Sequence, residues 1–330
     1  MKVGVLQFFS WPERRVDLAT VYARALERIA IMDRTGYDAV WLAEHHFSDF
    51  SVCPSVHMMG TLAAARTRRL RIGTAVSLAP FYHPLRLAEE IALLDVLSGG
   101  RVNWGAGRGF ARVEFDAFGV PPEESASRFR ETVEIVLRAW TDERLNFLGR
   151  HFRFDDVELL PKPVQYPHPP VWMAASSEGA IGWAAGRGFS ILMDPHSSSI
   201  EIGRKRRFYL EKLAAAGFSG AGRDIPIARL VALADRPGEA DAVARSGAEW
   251  ILNSYLGVQH RPVMEGSFTP AGVDPIKRYL DEVILHGTPE KVADEILNLH
   301  QEIGLDYLLC APLSHRSFIL LTDKVLPRIA

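Results

Sequence analysis

The sequence predicts an α/β fold, a single (β/α)8 barrel of the TIM type, on three observations. Short apolar runs alternate with longer amphipathic ones from end to end, which implies parallel strands joined through helical crossovers. Eight such units fit in 330 residues, where a barrel of this kind needs about 250. The turn after the first strand reads Phe9-Ser10-Trp11-Pro12 and lacks the glycines that a doubly wound dinucleotide-binding sheet requires there.

The elements follow in order. Strands are expected at Val3–Phe8, Ala39–Leu42, Leu70–Val76, Arg101–Gly105, Val171–Ala174, Ser190–Met193, Ile227–Ala234 and Tyr307–Cys310. Helices are expected at Leu18–Thr35, Val56–Arg66, Leu85–Leu97, Ser127–Trp140, Ser177–Gly186, Ser199–Ala215, Glu239–Ser246, Pro289–Ile303 and Ser317–Arg328. In the first helix Leu18, Val21, Tyr22, Ala25, Leu26, Ile29 and Met32 recur at helical spacing, so one face is buried. Two insertions account for the surplus length. Residues 141–170, after the fourth helix, carry a hairpin (Leu145–Phe147 against His151–Phe154) and a proline-rich return. Residues 249–286, after the seventh strand and helix, are rich in Gly, Pro and His and weakly periodic. One domain, 1–330, is expected.

Composition narrows the function classes. Hydrophobic residues make up 48%, charged residues 24%, with 26 Gly and 20 Pro, a globular pattern. Net charge is −2. The densest basic run, Arg204-Lys205-Arg206-Arg207 with Glu201 and Glu211 nearby, reads as a solvated helix face rather than a nucleic-acid patch. Cys53 and Cys310 form no CxxC or Cys/His cluster, which argues against a zinc site and a disulfide framework. The opening strand lacks signal-peptide features, and no apolar run approaches the roughly 20 residues that span a bilayer. The expected setting is the cytoplasm, with no metal, nucleic-acid or membrane partner.

Barrel sites lie at the C-terminal ends of the strands, so the residues after each strand carry the chemistry. After the second come Glu44-His45-His46-Phe47. Neighbouring side chains in an extended segment face opposite ways, so at most one histidine points into the mouth. It reads as a general acid/base held by a carboxylate, against the alternative of two loop histidines bonded to backbone. After the fourth strand, Gly105-Ala106-Gly107-Arg108-Gly109 lets a planar or anionic ligand approach the backbone, with Arg108 as a phosphate clamp. After the fifth, Ala175-Ser176-Ser177-Glu178-Gly179 opens a helix; such a start caps free N–H groups and also suits a phosphate. Candidate substrate contacts are Phe8, Phe47, Phe110, Met193 and Trp250, with Tyr255 and His260 also in the second insertion. That insertion reads as a mobile lid, and plain packing over the barrel accounts for its aromatics equally well.

At these residues the chain resembles the luciferase-like flavin monooxygenase family, in particular its bacterial luciferase α (alkanal monooxygenase) subunits. The likeness runs through Gly36–Trp41, Glu44–Phe47, Ile72–Val76, His83-Pro84, Ser98–Arg101, Gly105–Gly109, Trp183–Ala185, Gly287–Glu290 and Val325–Pro327. It implies FMN, reduced by a separate flavin reductase, whose C4a-hydroperoxide oxygenates a small organic substrate with O2. It also implies a homodimer. The reactive-site histidine falls on His45, and a non-prolyl cis peptide at Ala75-Val76 is expected against the isoalloxazine ring. Glu44, Gly105, Gly107 and Gly109 join the cofactor site, and Arg108 with residues 175–179 grips the phosphate. Gly107 stands where luciferase α subunits carry a cysteine, and Ala175 where they carry an acid. Those departures argue against light emission and a long-chain aldehyde, and Gly107 is expected to open room above the ring. Two rivals remain: a deazaflavin-dependent hydride-transfer reductase of the same fold, and a non-catalytic flavin-binding partner subunit.

Overall fold

The computed structural model describes residues 1–254 and 272–330. Its strands, in chain order, are β1 (Lys2–Gln7), β2 (Ala39–Leu42), β3 (Arg71–Thr74), β4 (Ser77–Leu78), β5 (Val102–Gly107), β6 (Leu145–Leu148), β7 (Arg153–Val157), β8 (Val171–Ala174), β9 (Ser190–Leu192), β10 (Pro226–Leu233), β11 (Ile284–Gly287) and β12 (Tyr307–Pro312). The helices are α1 (Leu18–Arg34), α2 (Val56–Arg66), α3 (Pro84–Ser98), α4 (Arg112–Phe118), α5 (Ser125–Thr141), α6 (Glu178–Ala185), α7 (Ser199–Ala215), α8 (Pro237–Ser254), α9 (Pro275–Arg278), α10 (Pro289–Ile303), α11 (His315–Leu320) and α12 (Leu326–Ile329).

All strands but β6 and β7 form one parallel sheet, ordered β11-β10-β12-β1-β2-β3-β5-β8-β9, with β4 on β5. A parallel bridge between Met193 and Ile227 links the end of β9 back to β10, so the sheet curls in the TIM-barrel-like manner. The strands are nearly continuous apolar runs because both faces are buried. Along β2, Ala39 and Trp41 turn into the curl, while Val40 and Leu42 face the helix layer with Ile29 and Met32 of α1. Trp41, Trp172 and Tyr307 fill the interior: Trp41 Nε1 donates to the Tyr307 hydroxyl at 3.1 Å, which donates to Asp38 at 2.5 Å. Gly73 makes this possible, since a Cβ there would lie 2.3 Å from the Trp41 ring.

The structure departs from the expected elements where backbone geometry intervenes. The third strand stops at Thr74; a cis peptide joins Ala75 to Val76 before β4 resumes. Helix α4 was not anticipated. The first insertion holds the antiparallel β6–β7 hairpin. The second begins later than the sequence reading places it, because Ala240, Ala244, Ala248 and Ile251 keep one buried face going to the end of α8. Its last residues, 284–286, belong to strand β11, which pairs with β10. Tyr255 and His260 lie outside the described residues. The expected final helix is split by a π turn at Leu321–Val325.

Candidate active site

A cavity of ≈ 420 Å³ opens at the C-terminal strand ends, within the range of roughly 300–1,000 Å³ usual for small-molecule sites. Of the sequence-predicted residues, Phe8, Glu44, His45, Ala75, Val76, Gly107, Arg108, Gly109, Phe110, Ala175, Ser176, Ser177, Gly179 and Met193 line it.

Four do not. Phe47 takes a positive φ of 56°, which breaks the strand alternation and leaves it 60% exposed, packed on Phe118. Gly105 lies within the sheet: a Cβ there would meet the Thr74 carbonyl at 2.0 Å, and Thr74 Oγ1 bonds both its N–H and its carbonyl. Glu178 is exposed on the first turn of α6, where it suits the helix dipole. Trp250 packs from α8 against the buried interior.

The histidines part as strand alternation requires. The His45 ring sits among Phe8, Phe50 and Phe110 at centroid distances of 6.3, 5.5 and 6.3 Å, and its Nδ1 lies 3.8 Å from Glu114 Oε1. His46 turns away: its Nε2 is 3.0 Å from Glu44 Oε1, and its ring packs edge-on against Phe118. The Tyr82 hydroxyl donates to the other Glu44 oxygen at 3.0 Å. Burial first, then the Glu44 charge, pushes the Tyr82 pKa up.

A second group of side chains is cationic. Arg108 and Arg130 both reach the cavity, and neither has an ion pair among the described residues. Burial first, then the charge of Arg130, lowers the Arg108 pKa. Arg130 stacks over Trp183 at 5.7 Å. Beside them Ser177 caps α6, accepting from the Ala180 N–H at 3.3 Å. Two guanidiniums next to a helix N-terminus suit an anion. Sequence reasoning missed Arg130, which lies inside α5 with no motif around it.

Gly107 corrects an expectation. A Cβ at this position would lie 2.2 Å from Val76 Cγ2, so the volume freed by glycine is filled by valine and is not open space. Behind that valine, buried Ser77 Oγ lies 2.9 Å from His57 Nε2, and His57 Nδ1 lies 2.8 Å from Glu90 Oε2. The His57 bond, ahead of Arg86, holds the Glu90 pKa down to about 2 from its ordinary 4.5. A depressed folded pKa stabilises above pH 4.5 and is lost as pH falls toward 2. Glu90→Gln is expected to flatten stability across that window, checked by urea unfolding of both proteins at each pH.

Sequence reasoning also missed Asp194 and His196, which line the cavity just beyond β9; the strand-end rule applied there would have found them. Among the described residues no cluster of three His, Cys, Asp or Glu is placed to hold a metal, and no helix is long and apolar enough to cross a membrane.

The family described as luciferase-like monooxygenase matches residues 1–307. The uncharacterized protein y4wF of Sinorhizobium fredii is 32% identical over 295 residues, 89% of this chain and 85% of the relative. The oxygenase component of the flavin-dependent trigonelline monooxygenase of Acinetobacter baylyi is 27% identical over 300 residues, 87% and 82% of the two chains. Among solved structures, monooxygenase RslO1 from Streptomyces bottropensis superposes with a TM-score of 0.88 at 28% identity, each chain covered fully. At 20% identity and TM-score 0.81, over 100% of this chain and 99% of the other, the oxygenating constituent of 3,6-diketocamphane monooxygenase from Pseudomonas putida, in complex with FMN, shares the fold.

Proposed function

The chain belongs to the luciferase-like monooxygenase family, and on that premise we propose that it is the oxygenase component of a two-component flavin system. The reading takes β1-β2-β3-β5-β8-β9-β10-β12 as a complete eight-stranded barrel in one domain, with β11 added outside. A separate reductase supplies reduced FMN, and O2 and a small organic substrate meet it in the cavity. When bound, the reduced flavin activates O2 for transfer of one oxygen atom.

The observation that carries this reading is the pair of guanidiniums without counter-charge beside the α6 N-terminus. A cavity built for an apolar metabolite alone has no use for two cations in that position. Arg108, Arg130, Ser176, Ser177 and Gly179 hold the phosphate, while Ala75, Val76, Gly107 and Gly109 shape the wall for a flat ring. Glu44 fixes His46 and Tyr82 and so the loop that presents His45. His45 exchanges a proton through its imidazole, with Glu114 beside Nδ1. Phe8, Phe110 and Met193 exclude water. Exposed Met58 and Leu62 of α2, with Leu93, Val96 and Leu97 of neighbouring α3, support a homodimer. The chain works in the cytoplasm in this reading.

The test is oxygen consumption by the purified protein with reduced FMN and a panel of aldehydes, ketones, terpenes and sulfonates. Substrate-dependent uptake with an oxygenated product is the expected result. Hydride transfer to a deazaflavin without oxygen uptake, or flavin binding without turnover, sinks the reading.

A further inference from the structure

His196 lines the cavity at 2% exposure and is fixed from three sides. Its backbone N–H and that of Ser197 donate to Asp194 Oδ1 at 2.9 and 3.0 Å. Lys205 braces the same turn, 3.3 Å from Asp194 Oδ2 and 2.7 Å from Ser197 Oγ. The His196 carbonyl accepts from Arg278 at 3.2 Å, and that guanidinium also binds Glu201 at 2.9 Å, inside the capping box of α7. On the ring, Nδ1 lies 3.0 Å from the hydroxyl of buried Tyr279. The Asp194 turn holds the backbone by itself; the hydroxyl at Nδ1 orients the imidazole as well, an arrangement suited to a side chain that recognises something.

Resting on the flavin reading above, we propose that His196 is a specificity residue that hydrogen-bonds a neutral oxygen of the substrate, a carbonyl or a hydroxyl. Three observations support this choice of chemistry. Burial, above all, pushes the imidazole pKa down to about 4, and the charges of His45 and Arg278 act the same way against Asp194, so the ring carries no charge near neutral pH and has one donor and one acceptor. No Lys or Arg besides Arg108 and Arg130 lines the cavity among the described residues, and those two belong to the phosphate. The carboxylates of Glu44 and Asp194 are also in the wall, which disfavours an anionic substrate further. The remaining lining of Leu6, Phe8, Phe110, Leu192, Met193 and Leu309 fits an apolar body around that one oxygen.

The experiment titrates cyclohexanone, methylenecyclohexane and cyclohexanecarboxylate into the FMN-loaded protein by calorimetry, with FMN affinity measured in parallel. The wild type is expected to prefer the ketone over the hydrocarbon by about tenfold, the worth of one hydrogen bond, and to bind the carboxylate weakest. His196→Leu removes the preference, His196→Asn retains part of it, and neither shifts FMN affinity. Tyr279→Phe, which keeps the ring and its packing, weakens the preference and scores the proposal should His196→Leu fail to fold. A wild type with no ketone preference, or equal loss of FMN affinity in both His196 variants, overturns it. Titrations repeated without FMN separate the cases: failure to bind FMN tells against the proposed function, while the ketone preference is still scored by itself.

Discussion

Replacing His45 by alanine is expected to leave the fold and FMN binding intact while oxygen transfer collapses and hydrogen peroxide is released instead. Of the two adjacent histidines, His45 is the one that lines the cavity, and in the proposed reading the phosphate falls to Arg108, Arg130 and the start of α6. Loss of a positioned acid/base costs about 10²–10⁴-fold in rate, or roughly 3–5 kcal/mol in the barrier. His46→Ala works differently. It strips one partner from a buried carboxylate, Glu44, and costs on the order of 1–3 kcal/mol of stability with little change in coupling. The measurement is product formed against peroxide released, for both variants on the same supply of reduced flavin. Uncoupling in His46→Ala alone would exchange the roles of the two residues, and uncoupling in neither would remove the chemistry from this strand end.

Arg108→Ala is expected to weaken FMN binding by on the order of 1.5–3 kcal/mol, the worth of a charge-assisted bond, or roughly 10- to 150-fold. Arg130→Ala weakens it less, because Arg130 is exposed where Arg108 is partly buried. The two effects should fall short of additive. Burial first, then the charge of Arg130, lowers the Arg108 pKa, so removing Arg130 relieves part of the strain on Arg108. Fluorescence titration of FMN into the two single variants and the double measures this directly. Unchanged affinity in Arg108→Ala would mean that the phosphate lies elsewhere.

Most of the strand ends were legible because parallel strands buried on both faces leave unbroken apolar runs, and the residues just past them are few. Arg108 and Ser177 followed from that position, as did the pair of histidines, between which the family resemblance selected His45. Phe47 was misplaced because alternation presumes an extended backbone, and no local pattern announces its positive φ. Gly107 was read as an opening because a sequence shows a missing side chain but not what moves into the gap. Arg130 reaches the site from a helix face whose neighbours are fixed only by the tertiary fold, and the running-on of α8 was hidden by small alanines that weigh little as apolar signal.

The contact between Gly107 and Val76 makes the two positions one steric unit. Their side chains share a space that admits a single branched methyl, so whatever volume one takes the other must give up. A larger residue at 107 is compatible with this backbone only alongside a smaller one at 76. Remodelling of this wall of the cavity therefore proceeds by paired substitutions, and a larger residue at 107 reports on its partner as much as on itself.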